Sequence, residues 1–439
     1  MIQQILFIVI AGGALLFAAR QFLQIKKKIS LGQPEEIKGD TGERIKNVLL
    51  IALGQKKMFK QWVPALMHFA IYAAFLITQI ELLEIFFDGV TGAHRAFAPA
   101  LGGFYTFVIS TIEVLTFFAF FATIIFLVRR TLVKPARFTQ TEMQGWPARD
   151  GILILLGELV LIAGIVCMNG ADVLLQKLDP AHYPDTGTLA VSSWLGPLLF
   201  GGLSQQSLVV VERFGWWLHI LTVLAFLNYL PISKHLHIVL AFFNVYYSRL
   251  KPRGEMENMP EIMNEVKSMM GLIEASEADM GAELPEFGAK DVTGLSWKTL
   301  LEAYSCTECG RCTEQCPANL TGKKLSPRKI MMDIRDRTDE VAAGLAVSEA
   351  VAPADFDDGK SLFDYIASEE LHACTTCQAC VEACPVMINP MEPILALRRY
   401  EILTESKGPA DWIPMFTSVE NNGAVWAVAD PRDGWTRED

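Results

Sequence analysis

Five long apolar runs, at about 3–23, 63–87, 103–128, 150–170 and 208–230, constrain this 439-residue chain more than any other feature. A helix needs about 20 apolar residues to cross a hydrocarbon core of roughly 30 Å, and each run is long enough. The sequence therefore predicts an all-α membrane bundle of five transmembrane helices over residues 1–250. The first run could be taken for a secretory signal. Its charges (Arg20, Lys26, Lys27, Lys28) follow the apolar stretch instead of preceding it, and no small-residue cleavage site is present, so a retained helix is expected.

Orientation follows from where Lys and Arg fall between the runs. The stretch 24–62 carries Lys26, Lys27, Lys28, Lys38, Arg44, Lys46, Lys56, Lys57 and Lys60, and 129–149 carries Arg129, Arg130, Lys134, Arg137 and Arg149. The alternate loops, 88–102 and 171–207, hold only Arg95 and Lys177. An N-out/C-in, multi-pass protein of a bacterial inner (cytoplasmic) membrane is expected, with the C-terminal part in the cytoplasm. The stretch 235–247 (HLHIVLAFFNVYY) is too short to span and is expected along the inner face. Charge divides the chain in the same place. Residues 1–253 hold 22 Lys+Arg against 15 Asp+Glu, or +7, and residues 254–439 hold 16 against 34, or −18. So acidic a half repels phosphate backbones, and nucleic acid is not an expected partner.

Eight of the nine cysteines fall into two copies of one pattern, Cys306-x2-Cys309-x2-Cys312-x3-Cys316-Pro317 and Cys374-x2-Cys377-x2-Cys380-x3-Cys384-Pro385. In a reducing compartment such spacing points to metal sooner than to disulfides. Two-residue gaps let one tight loop aim three thiolates at a single cubane, and in two-cluster ferredoxins the fourth Cys of each run ligates the other cluster. Cys306, Cys309, Cys312 and Cys384 are thus expected around one [4Fe–4S] cluster, and Cys374, Cys377, Cys380 and Cys316 around a second. A pair of zinc sites is the blander reading, and zinc rarely takes four cysteines in this form. The 57 residues between Cys316 and Cys374 exceed a compact ferredoxin's needs. Stretches 325–343 and 361–372 have helical character, which makes residues 291–400 a cytoplasmic helical two-[4Fe–4S] ferredoxin-type domain. It follows an acidic linker over 251–290 and precedes a tail over 401–439. Cys167, alone in the fourth apolar run, reads as an inert buried thiol.

Cubanes move single electrons, and a membrane acceptor for them could be haem b held by axial histidines. His68 lies about eight residues past Lys60, near the inner side, and His219 follows the Trp216–Trp217 pair, as at an interface. His237 lies 18 residues beyond His219, five whole turns if the helix is continuous, although Pro231 intervenes. His235 would then point away. His68 and His237 are the expected ligands of one inner haem, with His219 as candidate for a second whose partner is not evident; His94 is at a suitable depth.

The runs just quoted, with WWLH at 216–219 and LPISKHLHI at 230–238, resemble the haem-b subunit of respiratory nitrate reductase and its relatives in membrane-bound heterodisulfide reductase and sulfite-reduction complexes. That family carries two His ten apart in its second helix and two His eighteen apart around its fifth. His219 and His237 match the second pair and His68 the first member of the other, whose second member falls on Thr78. The cytoplasmic half is similar to the iron–sulfur part of heterodisulfide-reductase-like proteins. Relatives there continue into CCG-motif domains, which are not found here, so the resemblance implies a substrate site on a separate subunit, of CCG type or a flavoprotein.

Among other features, Glu81 and Glu84 are expected to reach water near a helix end, while Glu113 and Glu158, about ten residues into their helices, are better candidates for proton or quinone sites. The basic stretch 323–329 (KKLSPRK) is expected to shield cluster charge. No phosphate-binding loop or dinucleotide fingerprint is present, which disfavours bound nucleotide or flavin. Together these features predict an electron-transfer subunit of a quinone-linked oxidoreductase, an iron–sulfur enzyme subunit with membrane quinone as substrate. A haem-free anchor tethering a ferredoxin domain to another respiratory complex is the alternative, and a redox sensor is disfavoured because no signalling domain follows the clusters.

Overall fold

The computed structural model describes residues 1–252, 254–256, 258–273, 286–348, 352–426 and 436. Among these residues there are helices and turns and no strand, apart from one isolated bridge between Gln33 and Ser296. Five helices are long and apolar enough to cross a membrane. They are α1 (Ile2–Ile29), α2 (Trp62–Thr91), α3 (Gly103–Val128), α4 (Trp146–Leu178) and α5 (Gln205–Tyr229). Helices α1, α2 and α4 contain their apolar runs and extend past them, because helical hydrogen bonding continues into polar flanks that the hydropathy pattern leaves out; α1 takes in Lys26, Lys27 and Lys28 as its last turn, while α3 coincides with its run and α5 stops one residue short of the end of its own. Large apolar side chains such as Phe117, Phe118, Phe121 and Leu198 face outward, as a lipid-facing surface requires.

Inside the bundle the helices approach through small residues, the arrangement expected where burial in lipid gives no hydrophobic drive. A Cβ on Gly215 of α5 would lie 2.4 Å from the Met168 nitrogen of α4, and one on Gly164 2.9 Å from the His219 nitrogen. Phe7 of α1 sits between Phe86 and Trp216, with ring centroids 5.6 Å from each.

The helix α5 ends at Tyr229, and the chain passes through a turn at Leu230–Ile232, an extended Ser233 and a second turn at Lys234–Leu236 before α6 (His237–Tyr246). The five-turn register between His219 and His237 therefore does not exist, because Pro231 and Ser233 break the helix between them. The 235–247 stretch becomes the short α6, as its length implies.

The cysteine-bearing part is built from α7 (Trp297–Ser305), α8 (Pro327–Leu345), α9 (Met391–Arg399) and connecting turns, followed by α10 (Trp412–Asn422). Helix α8 starts in the favoured way: Ser326 accepts from the Lys329 N–H, and Pro327 takes the first position, where its missing N–H costs nothing. Leu300, Ile330, Ile334, Val341 and Leu397 form the core, which closes around Cys306, Cys316 and Cys384. The expected acidic linker has structure only in part, a helix at Pro260–Met269; residues 274–285, like most of the end of the tail, lie outside the described residues.

The basic loops grip this acidic part directly. Lys28 reaches Asp339 at 2.8 Å, Arg137 reaches Glu314 at 2.7 Å, Glu142 accepts from Arg328 at 2.8 Å, and Lys60 pairs with Glu382. Backbone pairing adds to the grip, with Gln33 N–H donating to Leu295 O (2.7 Å) and Trp297 N–H to Gln33 O (3.0 Å). The start of α1 thus lies at the end of the bundle opposite the cysteine domain.

Candidate redox centres

Each cysteine run leaves a helix and turns through two residues with left-handed backbone. In the first they are Glu308 (φ 54°) and Gly310 (φ 74°); in the second, Thr376 (φ 55°) and Gln378 (φ 60°). These identical offsets fold each loop back so that its first three thiols point one way. The fourth thiol of each run is delivered to the other copy. Cys306, Cys309 and Cys312 line one hollow of about 360 Å³ together with Cys384. Cys374, Cys377 and Cys380 line another of about 350 Å³ together with Cys316.

The thiols suit a cationic cluster. Burial and neighbouring thiols push Cys306 up to about 12 and Cys380 up to about 12, and Cys384 rises to about 11. Without a positive centre among them they stay protonated, so a metal core is what would make this many buried thiolates tolerable. Backbone N–H groups point at three sulfurs: Glu308 to Cys306 and Thr376 to Cys374, both at 3.4 Å, and Ile388 to Cys384 at 3.3 Å. Such N–H···S contacts are one means of setting a cluster's potential.

The first hollow abuts the membrane helices. Arg311, in the Cys309–Cys312 loop, is buried and donates to Met58 O at 3.3 Å, and its charge bears on Cys309 and Cys384 on one side and on His68 on the other. Glu308 accepts from Lys234 Nζ at 2.5 Å and from Arg335 at 2.8 Å, with Glu308 and Lys234 buried and Arg335 partly exposed. Burial pushes the Glu308 carboxyl up, but Lys234 and Arg335 outweigh it and hold it below the usual range. Lys234 in turn donates to Pro147 O at 2.7 Å and, through its backbone N–H, to Asp150 at 3.0 Å. The sequence holds no signal for this pair, because nothing in the spacing joins positions 234 and 308. In the basic stretch at 323–329, Lys324 pairs with exposed Glu369, while Arg328 lines the first hollow, placing positive charge beside the thiols, and also donates to Arg137 O and Glu142, so it docks the domain as well.

The membrane-part histidines lie at different depths. His68 Nδ1 faces Gln55 Oε1 at 3.1 Å, and His237 Nδ1 donates to Lys234 O at 2.9 Å, leaving its Nε2 lone pair available. His237 and His235 rings lie 5.9 Å apart, and both act electrostatically with His68, so the structure gathers three histidines here. His235 does not point away as a continuous helix would require, since it sits in a turn and not on that helix. At mid-depth His219 is buried between α4 and α5, with Nδ1 3.5 Å from Leu161 O in the middle of α4. Thr78, where a second histidine of α2 would stand, returns its hydroxyl to Ala74 O. His94 uses both ring nitrogens, on Asp172 (2.8 Å) and Arg213 (3.1 Å).

The intramembrane acids are also redistributed. Glu81 and Glu84 do not reach water; they are 2% exposed and accept from Arg95 and Tyr105 respectively. Glu113 accepts the Val191 and Ser192 N–H groups, capping a short helix, and Glu158 accepts from Thr123.

Residues 305–388 match the 4Fe-4S dicluster domain, the segment that holds both cysteine runs. This chain carries a 4Fe-4S dicluster domain. It is 28% identical to the probable iron-sulfur-binding oxidoreductase FadF of Bacillus subtilis, over 93% of this chain and 57% of that protein. It is 26% identical to the EtfAB:quinone oxidoreductase of Syntrophomonas wolfei, over 90% of this chain and 54% of that one. A shorter match, 29% identical over 27% of this chain and 28% of the relative, is to one of the subunits of the dihydromethanophenazine:CoB–CoM heterodisulfide reductase of Methanosarcina barkeri. The chain spans a little over half the length of the first two relatives. No solved structure matches it. The relatives are iron–sulfur oxidoreductases or subunits of them, and with five span-capable helices this is a membrane-type iron–sulfur protein of that general kind.

Proposed function

We propose that the protein is an electron-transfer subunit of a quinone-linked membrane oxidoreductase, moving electrons between a cytoplasmic partner and membrane quinone. The observation that carries this reading is the placement of the first cysteine hollow against the histidine group, with Arg311 between them. In this reading Cys306, Cys309, Cys312 and Cys384 hold one [4Fe–4S] cluster, Cys374, Cys377, Cys380 and Cys316 hold the other, and His68 and His237 hold a haem b. When bound, these groups supply reversible one-electron chemistry.

The chain's own residues do the rest. Buried Arg311 and Lys234 fix the first cysteine loop on the bundle and place positive charge beside it, which favours the reduced, more negative state of whatever the thiolates hold. The second hollow opens outward at Cys377, the one exposed cysteine, and this is where a soluble partner would come near. The similarity to a quinone oxidoreductase supports the membrane substrate, and the loop charges support N-out/C-in insertion in a bacterial inner membrane. The division into a 1–250 membrane domain, a 251–290 linker, a 291–400 cluster domain and a 401–439 tail belongs to the same reading. His219 remains the candidate for a second haem.

The test is reoxidation. The purified protein in liposomes, reduced with dithionite and freed of excess, is expected to be reoxidised by added menaquinone or ubiquinone analogue within seconds. Reoxidation no faster with quinone than without it would overturn the quinone link.

A further inference from the structure

The end of the bundle away from the cysteine domain contains a buried ionic network. Asp150, near the cysteine domain, and Asp172, in this network, are both on α4, and 22 residues at about 1.5 Å each put the network roughly 33 Å from that side. Glu81, Glu84 and Asp88 lie on one face of α2 by their i, i+3, i+7 spacing. Arg95 folds back from the following loop to meet them. Its guanidinium reaches Glu81 at 3.2 Å, Tyr105 OH at 3.2 Å and Asp172 at 3.4 Å, and its backbone N–H donates to Asp88 at 2.8 Å. Tyr105 OH donates to Glu84 at 2.6 Å. Arg213 pairs with its neighbour Glu212, which is fully buried, and also donates to His94. Gln176 donates to Asp172 at 2.9 Å, and the Tyr183 ring packs on His94 at 4.8 Å between centroids.

Two features of this network are unbalanced. The first is charge. Five carboxyl groups (Glu81, Glu84, Asp88, Asp172, Glu212) face two guanidiniums, Arg95 and Arg213. His94 cannot make up the difference. Because an Arg213 N–H donates to its Nδ1, that nitrogen carries no proton, and the single ring proton is on Nε2, shared with Asp172 at 2.8 Å. Fully ionised, the network would carry a net charge of −3 largely out of water, with Glu84 held by the Phe97 N–H and Tyr105 O–H and Asp88 by the Arg95 and Ala96 N–H groups, all neutral donors, which is costly. The second is an orphan. Asn169 is 0% exposed, its Oδ1 accepts from Arg95 of the network, and the Nδ2 of the same amide has no acceptor among the described residues. A buried amide of this kind in a polar setting is ordinarily satisfied by an internal water.

We propose that this network is a proton-holding site. At least one of Glu84 and Asp88, to which no guanidinium among the described residues donates a hydrogen bond, carries a proton, and a water bound at the Asn169 amide is the path by which that proton exchanges with the aqueous phase. The step is proton transfer alone: a carboxyl O–H bond breaks, an O–H bond to the water forms, and the water passes on another of its protons, with no electrons moved. A protein that reduces or oxidises a quinone must handle protons as well as electrons, but the site stands on the charge count and the orphan amide whether or not quinone is the substrate.

Infrared spectroscopy of the full-length purified protein at neutral pH tests it through the protonated-carboxyl C=O band, which shifts in D2O. The expected result is that this band loses one carboxyl's worth of intensity in Glu84→Gln or in Asp88→Asn, each an isosteric change read separately. Asn169→Leu is expected to slow the deuterium shift of that component at least tenfold. Unchanged band intensity in both Glu84→Gln and Asp88→Asn overturns the proton, and an unchanged exchange rate in Asn169→Leu overturns the water path. Should none of these variants fold, lack of any D2O-sensitive carboxyl band in the unaltered protein also overturns it.

Discussion

The two cysteine hollows come from one duplicated motif, yet they occupy opposite surroundings. The inner hollow is wedged against the membrane helices, with Glu308, Arg311 and Arg328 buried around it and a glycine where the loop turns left-handed. The outer hollow has no charged side chain in its lining, with Cys377 exposed and Gln378 at the position that Gly310 holds in the inner loop. Duplication supplies the thiol geometry; docking supplies the difference. A Cβ at Gly310 would lie 2.5 Å from Arg328 Nη1, so the inner loop has no space for a side chain, whereas the outer loop accommodates Gln378 in the same conformation.

The largest effect should come from breaking the cross-delivery of the fourth thiol. Cys384 belongs to the second run but lines the first hollow. Cys384→Ala is expected to remove about four of about eight non-haem irons per chain and to leave the outward cluster's EPR signal intact, with Cys316→Ala doing the opposite. If each variant instead loses the cluster of its own run, the crossed arrangement is wrong. Next in size is Lys234→Met. It removes one of two partners of buried Glu308 while Arg335 remains, so a loss of roughly 2–3 kcal/mol is expected, somewhat under that for a fully orphaned buried charge. Lys324→Ala, which breaks the exposed pair with Glu369, should not shift the thermal midpoint detectably. Equal effects of the two would erase the distinction between inner and outer settings.

Smaller still are the backbone changes. Gly310→Ala should destabilise by roughly 1–3 kcal/mol, since it combines a positive φ with a collision. Gln378→Gly, relieving left-handed strain with no collision to remove, should stabilise by roughly 1 kcal/mol or less in the same thermal melt. Opposite signs are the expectation, and like signs would mean that the loops are not equivalent.

Much of this architecture is legible in the sequence because its signals are local. A run of 20 apolar residues and an x2-x2-x3 cysteine spacing each state their consequence within one segment. What stays hidden depends on contacts between segments. Glu81 and Glu84 lie close enough to a helix end to find water, and only the return of Arg95 from the next loop withdraws them. The loop cations Arg137 and Lys60 are readable as topology signals but not as partners of Glu314 and Glu382. The His219–His237 register fails for a local reason, the break at Pro231 and Ser233, which a strict reading of proline would have imposed. His235 joins the His68 and His237 group as a consequence.

The central claim is that thiols at one end of a wire meet histidines at the other. A reduced-minus-oxidised spectrum of the purified protein, with iron, acid-labile sulfide and haem counted per chain, tests it most directly. About eight non-haem irons, as many sulfides and one haem b are expected per chain, the haem being lost in His68→Ala and His237→Ala. Intact clusters with no haem would contradict it and leave a membrane-tethered ferredoxin in its place.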